Sequence, residues 1–138
     1  MSRRGCGSHN NNMQVMDAAV LNLGQLKEIT MDDQELMRQI LGVMLDDTRS
    51  QLLLLDAAIR SGDLATCRRL AHYSKGACAN VGAERAAAAC LRIEQQATKG
   101  EIASCSQSLA ALRDELDALQ SEIGAALRDE LADSPDRL

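Results

Sequence analysis

The sequence predicts an all-α protein, an up-down-up-down antiparallel four-helix bundle with a short extra N-terminal helix. Three observations lead there. Ala and Leu, 21 and 20 residues, dominate the 138 positions; both head the helix scale, whereas strands favour β-branched and aromatic residues. Tyr73 is the single aromatic, and the one proline, Pro135, lies near the end, where it interrupts no helix. Apolar residues recur at three- and four-residue steps in long stretches parted by very short turns, and short turns make successive helices antiparallel neighbours. At 14.9 kDa the chain suffices for one domain and is too short for two well-built cores.

Residues 1–16 are polar and rich in Gly and Asn, which predicts a flexible tail. The bundle is expected over 17–131, with a frayed tail at 132–138. A short helix is expected from Asp17 to about Glu28, with Val20, Leu21, Leu23 and Leu26 as its apolar set. Asp32 has the chemistry of an N-cap for a long helix running to about Arg60. Its apolar positions Leu36, Ile40, Leu41, Met44, Leu45, Leu52, Leu55 and Ile59 have the spacing of one buried stripe. Ser61-Gly62-Asp63 supplies a glycine terminator and then an aspartate cap for the next helix. That third helix spans about Leu64 to Ala79, closed by Asn80-Val81-Gly82. A fourth follows from Ala83 to Lys99, with Gly100 as its stop. The fifth starts near Glu101 and carries a packing seam of Leu109, Leu112, Leu116, Leu119, Ile123 and Leu127.

Composition excludes several functions. A net charge of −5 and a pI near 5.0 oppose binding to a phosphate backbone. The missing aromatics remove base-stacking platforms, so nucleic acid is not an expected partner. No apolar run approaches the ~18 residues of a membrane span, and the N-terminus lacks a secretory h-region. Cys6, Cys67, Cys78, Cys90 and Cys105 include no CxxC pair, and most lie among Ala and Leu. They are expected to be reduced core residues, which places the chain in the cytoplasm. No Glu-x-x-His pair, zinc spacing or glycine-rich phosphate loop is present, so neither a metal nor an ATP site is expected.

Two histidines remain. His9 falls in the tail and is expected to be inert. His72 lies in Arg68-Arg69-Leu70-Ala71-His72-Tyr73-Ser74-Lys75-Gly76. At about 100° per residue, Leu70, Ser74, Ala77 and Val81 fall opposite the histidine, flanked by Cys67 and Cys78. Arg68, Arg69, Lys75, Gly76 and Ala79 share its side. A solvated histidine on a charged face would account for much of this. It does not account for Gly76, which costs roughly 0.8–1.0 kcal/mol against Ala inside a helix. An exposed imidazole with a cleared flank and nearby cations suits a nucleophile that accepts a phosphoryl group from a bulky donor.

These residues resemble a known family. Ala71-His72-Tyr73-Ser74-Lys75-Gly76-Ala77, then Ala79-Asn80-Val81-Gly82-Ala83, then Cys90-Leu91-Arg92-Ile93-Glu94 are similar to the histidine-containing phosphotransfer (HPt) domain. Its pattern reads approximately A-H-x-L-K-G, N-[LV]-G-A and a helix ending in L-E, and the likeness runs over about residues 17–125. The resemblance implies that His72 accepts the phosphoryl group, Lys75 steadies it and Gly76 admits the partner, with Arg68, Arg69 and Ala79 on the docking face. It implies a monomeric phosphocarrier that takes a phosphoryl group from a receiver-domain aspartate and passes it to another. The receivers would belong to response regulators or hybrid sensor kinases. The carrier would need no cofactor of its own, Mg²⁺ belonging to the receiver. Ser74 departs from the usual Leu and Met44 from the common Phe; both look like core positions, and Ser74 is placed to back-bond the Leu70 carbonyl. Glu94 resembles the family's helix-end acid and reads from its own position as a solvated carboxylate. The Ala86–Ala89 run reads as a close helix contact. Two alternatives stay open: a helical adaptor that binds a receiver without being phosphorylated, and the phosphate-accepting module of a chemotaxis-type kinase. Tyr73, where a dimerising sensor-kinase helix typically has an acid, opposes direct partnership with an autokinase.

Overall fold

The computed structural model describes residues 19–132, with side chains as far as 125. The expected N-terminal tail, His9, Cys6, the proposed helix start at Asp17 and all of the expected 132–138 tail but Ala132, which still belongs to the last helix, lie outside these residues, as does the Leu127 side chain. Among the described residues five helices follow in order: α1 (Leu23–Thr30), α2 (Gln34–Ser61), α3 (Leu64–Asn80), α4 (Glu84–Thr98) and α5 (Ile102–Ala132). Packing of α2 on α3, α3 on α4, α4 on α5 and α5 back on α2 closes a ring of four, with α1 laid against α2. The all-α bundle with a short leading helix is therefore the observed fold.

The α1 helix is shorter than expected and starts later. Asn22 caps it, its side chain accepting from Gln25 N at 3.1 Å. Residues 19–22 are held out of the helix by α4. Ala19 N donates to Glu84 Oε1 at 2.9 Å, Arg85 N donates to Ala19 O at 3.0 Å, and Asn22 N donates to Gly82 O at 2.7 Å. Val20 and Leu21 thus pack on the core from a non-helical stretch rather than a helix face.

The cap of α2 is Asp33, not Asp32. Met31 and Asp32 both take left-handed backbone angles (φ 53° and 65°), which turns the chain one residue further before Asp33 accepts from Leu36 N at 3.0 Å. The buried stripe shifts with it. Met37 is in the core and Leu36, expected there, is 39 % exposed. Met37, Leu41, Met44, Thr48, Leu52, Leu55 and Ala58 form the seam, with Ile40, Leu45 and Ile59 half-buried beside it. Thr48 bonds Met44 Sδ, so the polar intruder is satisfied.

Between α2 and α3, Gly62 (φ 73°) terminates and Asp63 caps, accepting from both Thr66 N and Thr66 Oγ1. The α3–α4 pair has the most extensive contact in the bundle. Small side chains permit it: Ala71, Ser74 and Cys78 of α3 and Ala86, Ala89 and Cys90 of α4 are all buried. The alanine run is the close contact it was read to be. Cys67, Cys78, Cys90 and Cys105 are buried free thiols. Burial raises Cys67 to about 11; its hydrogen bond with Cys78, together with burial, pushes Cys90 up. On α5, Leu109, Leu112, Leu116 and Leu119 are buried and Ile123 half-buried, as the seam required. Among the described residues no helix is long and apolar enough to cross a membrane.

Candidate functional site

The α3 helix presents two opposed faces. Cys67, Leu70, Ala71, Ser74 and Cys78 are buried. Arg68, Arg69, His72, Tyr73, Gly76 and Ala79 are exposed, and Lys75 is half-buried. Met44 and Ser74 are core residues, as expected. The Ser74 hydroxyl is buried but has no hydrogen-bond partner, so the expected bond to the Leu70 carbonyl is not made.

His72 is two-thirds exposed (67 %), and its Nδ1 lies 2.9 Å from Glu94 Oε2. The other oxygen of the same carboxylate, Oε1, accepts from Lys75 Nζ at 2.9 Å. Glu94 reaches the pair from α4, one turn before that helix ends. It is only 20 % exposed, so it is no solvated carboxylate: the reading of Glu94 as a surface acid is corrected here. The bond from Lys75, reinforced by His72, holds the Glu94 carboxyl below the usual carboxylate range. A carboxylate can only accept, so Nδ1 is the ring nitrogen that donates to Glu94; on the neutral ring that leaves the lone pair on Nε2.

The surroundings divide by character. Thr66, Arg68, Arg69 and His72 line a hollow of about 390 Å³ on one flank. On the other, Tyr73 donates its hydroxyl to Asp47 Oδ2 at 2.9 Å, across the gap between α3 and α2. That bond, and the Asp47 charge, raise the phenol above its ordinary value. Gly76 is one turn beyond the histidine, and a Cβ built there would meet nothing within 4 Å. Helix packing therefore does not require glycine at this place.

The six residues expected at the site thus share one exposed side of α3, and Glu94 is the member that sequence reasoning passed over. Its signal was present in the register. Antiparallel α3 and α4, joined by the short Val81–Ala83 turn, put residue 94 level with residue 72.

Among the described residues, the four-helix bundle displays one imidazole, that of His72, with its Nδ1 against the half-buried Glu94 carboxylate. The sequence profile of the Hpt domain matches residues 39–122. The chain therefore belongs to the Hpt domain family. Among solved structures, it is similar to histidine-containing phosphotransfer protein B (HptB) from Pseudomonas aeruginosa PAO1, at 23 % identity and a TM-score of 0.74. That match covers 82 % of this chain and 98 % of the other. It is also similar to the phosphotransfer protein ZmHP2 from maize, at 20 % identity and a TM-score of 0.71, over 91 % and 97 % of the two chains. At these identities the structural likeness establishes the fold. No curated protein sequence matches the chain. Family membership gives it a phosphotransfer role among two-component phosphorelay partners, as a phosphocarrier rather than an ATP-using enzyme.

Proposed function

We propose that His72 carries the phosphoryl group, taking it from the aspartyl phosphate of one receiver domain and passing it to the aspartate of another. The observation that carries this reading is the Glu94 oxygen 2.9 Å from His72 Nδ1 on a ring that is otherwise exposed. The Nε2 lone pair attacks phosphorus; the P–N bond forms as the P–O bond to the donor breaks, and the donor leaves as a free carboxylate. The Nδ1 proton stays on the ring, and positive charge developing there is met by the Glu94 carboxylate. Transfer onward reverses these steps. Lys75 has three donors and gives one to Glu94, leaving others for a phosphoryl oxygen. Arg68 and Arg69 face the acidic donor, while Gly76 and Ala79 keep the approach to the ring low. The chain acts as a monomer in the cytoplasm and needs no cofactor; the divalent cation belongs to the receiver.

The test is incubation with receiver domains loaded from acetyl phosphate, followed by assay for acid-labile, alkali-stable phosphate. The wild-type chain is expected to take up label and His72→Gln to take up none while keeping its helical circular dichroism. Binding without label in the wild type would favour an adaptor; label persisting in His72→Gln would refute the site.

A further inference from the structure

Four buried thiols have no part in the site, yet two of them lie directly beside it. Cys78 of α3 and Cys90 of α4 are both 0 % exposed, on the two helices with the most extensive contact in the bundle. Cys78 follows Lys75 by three residues and Cys90 precedes Glu94 by four, so the pair sits one turn along from the Lys75–Glu94 bond. The two thiols meet across the helix gap, and they are not equivalent. The Cys90 S–H donates to the Cys78 sulfur and holds that thiol below its ordinary value, whereas Cys90 is pushed up and keeps its proton. An attacking thiol with a resolving neighbour has this arrangement. Cys67 and Cys105 lack it: Cys105 Sγ is turned to the Ile93 carbonyl at 3.8 Å, and burial raises both thiols.

We propose that Cys78 and Cys90 form a reversible disulfide on exposure to hydrogen peroxide, and that this bond slows phosphotransfer at His72 by shifting α3 against α4. The second half rests on the phosphocarrier reading above; the first does not. The Cys78 thiolate attacks one peroxide oxygen and the O–O bond breaks. The other oxygen leaves, takes up the proton that Cys78 has shed and becomes water, while Cys78 becomes a sulfenic acid. The Cys90 sulfur then attacks Cys78, its proton going to the departing oxygen; the S–O bond breaks, the S–S bond forms and a second water leaves. The two thiols thus supply the two electrons that reduce the peroxide. Burial selects the oxidant. Hydrogen peroxide is little larger than water, whereas a bulky disulfide or alkylating reagent must wait for the helix pair to open. Closure draws two non-bonded sulfurs to bonding distance, and close-packed helices transmit that strain. His72 and Lys75 each hold Glu94 at 2.9 Å across the same interface, so the site shifts with it.

The experiment treats the full chain with hydrogen peroxide, removes the excess with catalase, alkylates remaining thiols under denaturing conditions and maps linked tryptic peptides by mass. Cleavage after Lys75, Arg85 and Arg92 puts Cys78 and Cys90 on separate peptides, 76–85 and 86–92. A link between these two that dithiothreitol removes is expected. Links confined to other cysteines, or sulfinic acid at Cys78 without a link, would overturn the proposal. Phosphoryl uptake from phosphoramidate and from charged receiver domains is then compared before and after oxidation. The oxidised wild type is expected to label about fivefold or more slowly and to recover with dithiothreitol. Cys90→Ala, which adds one more alanine to an alanine-lined interface, is expected to keep its rate through the same treatment. Recovery with dithiothreitol separates the disulfide from methionine oxidation even if that variant does not fold, since a sulfoxide needs its own reductase. A linked chain that labels at the reduced rate would overturn the control of transfer. Failure of the reduced wild type to label from any donor would overturn the phosphocarrier reading, and the peptide map would still decide the disulfide.

Discussion

Glu94 joins two side chains of another helix through one carboxylate, and this has a consequence for pH. Its folded carboxyl ionises below the ordinary value of 4.5 because Lys75 and His72 donate to it. A depressed carboxylate contributes stability above its unfolded pKa and loses it as pH falls through the folded one. Wild type is therefore expected to melt above Glu94→Gln near neutral pH, the gap closing as pH falls below 4.5 and through the lowered folded-state value. Melting curves of the two proteins across that range check this, and a gap that does not change would mean the charge contributes nothing. Gly76 separates stability from function. With open space around its Cβ position, Gln at 76 is expected to stabilise the helix by a few tenths to about 1 kcal/mol. Transfer from a receiver is expected to slow, because that side chain projects beside the imidazole. A Gly76→Gln protein that melts higher and transfers normally would remove the glycine from any docking role.

At the scale of elements, the strongest constraint outside the bundle core is the seam between residues 19–22 and the start of α4. Gly82 has φ 82°, and a Cβ there would lie 2.7 Å from Asn22 O and 3.0 Å from Asn22 Cβ. Gly82→Ala meets both a disfavoured backbone and a clash, and is expected to cost roughly 1–3 kcal/mol. Denaturant titration would measure it; an unchanged midpoint would show that this seam adds no stability. The same seam explains what the sequence could not show. Helix existence was legible wherever apolar spacing ran for several turns, and the Gly62-Asp63 junction follows from cap chemistry alone. The start of α1 was not, because hydrogen bonds to Glu84 and Gly82, sixty or more residues on, hold Ala19 and Asn22 out of helix. Asp32 and Asp33 are equally good caps by residue type, and only the left-handed pair Met31-Asp32 selects the second. Glu94 was hidden for a related reason: its partners are set by the register between α3 and α4, not by its neighbours in sequence.

On the scale of the whole molecule, the bundle closes on Leu, Ala, Met and Cys without a single aromatic in its core. Small residues between α3 and α4 bring the helix of His72 close to the helix of Glu94, so core packing and site geometry are one arrangement. The four described cysteines are free and buried throughout that core. They are expected to resist thiol reagents in the native state and to react together on unfolding, whereas fast native labelling of Cys78 would mean that α3 is rotated from its assigned phase. Mass-resolved labelling with and without denaturant makes the comparison.

The central claim is that Glu94 holds the His72 proton at Nδ1 and thereby makes Nε2 the phosphoryl acceptor. Phosphorus and proton–nitrogen NMR of the chain, phosphorylated by a receiver domain, reads the bonded ring nitrogen directly. One phosphohistidine, at Nε2 of His72, is the expected result. A phosphoryl group on Nδ1, or on any other residue, would contradict it.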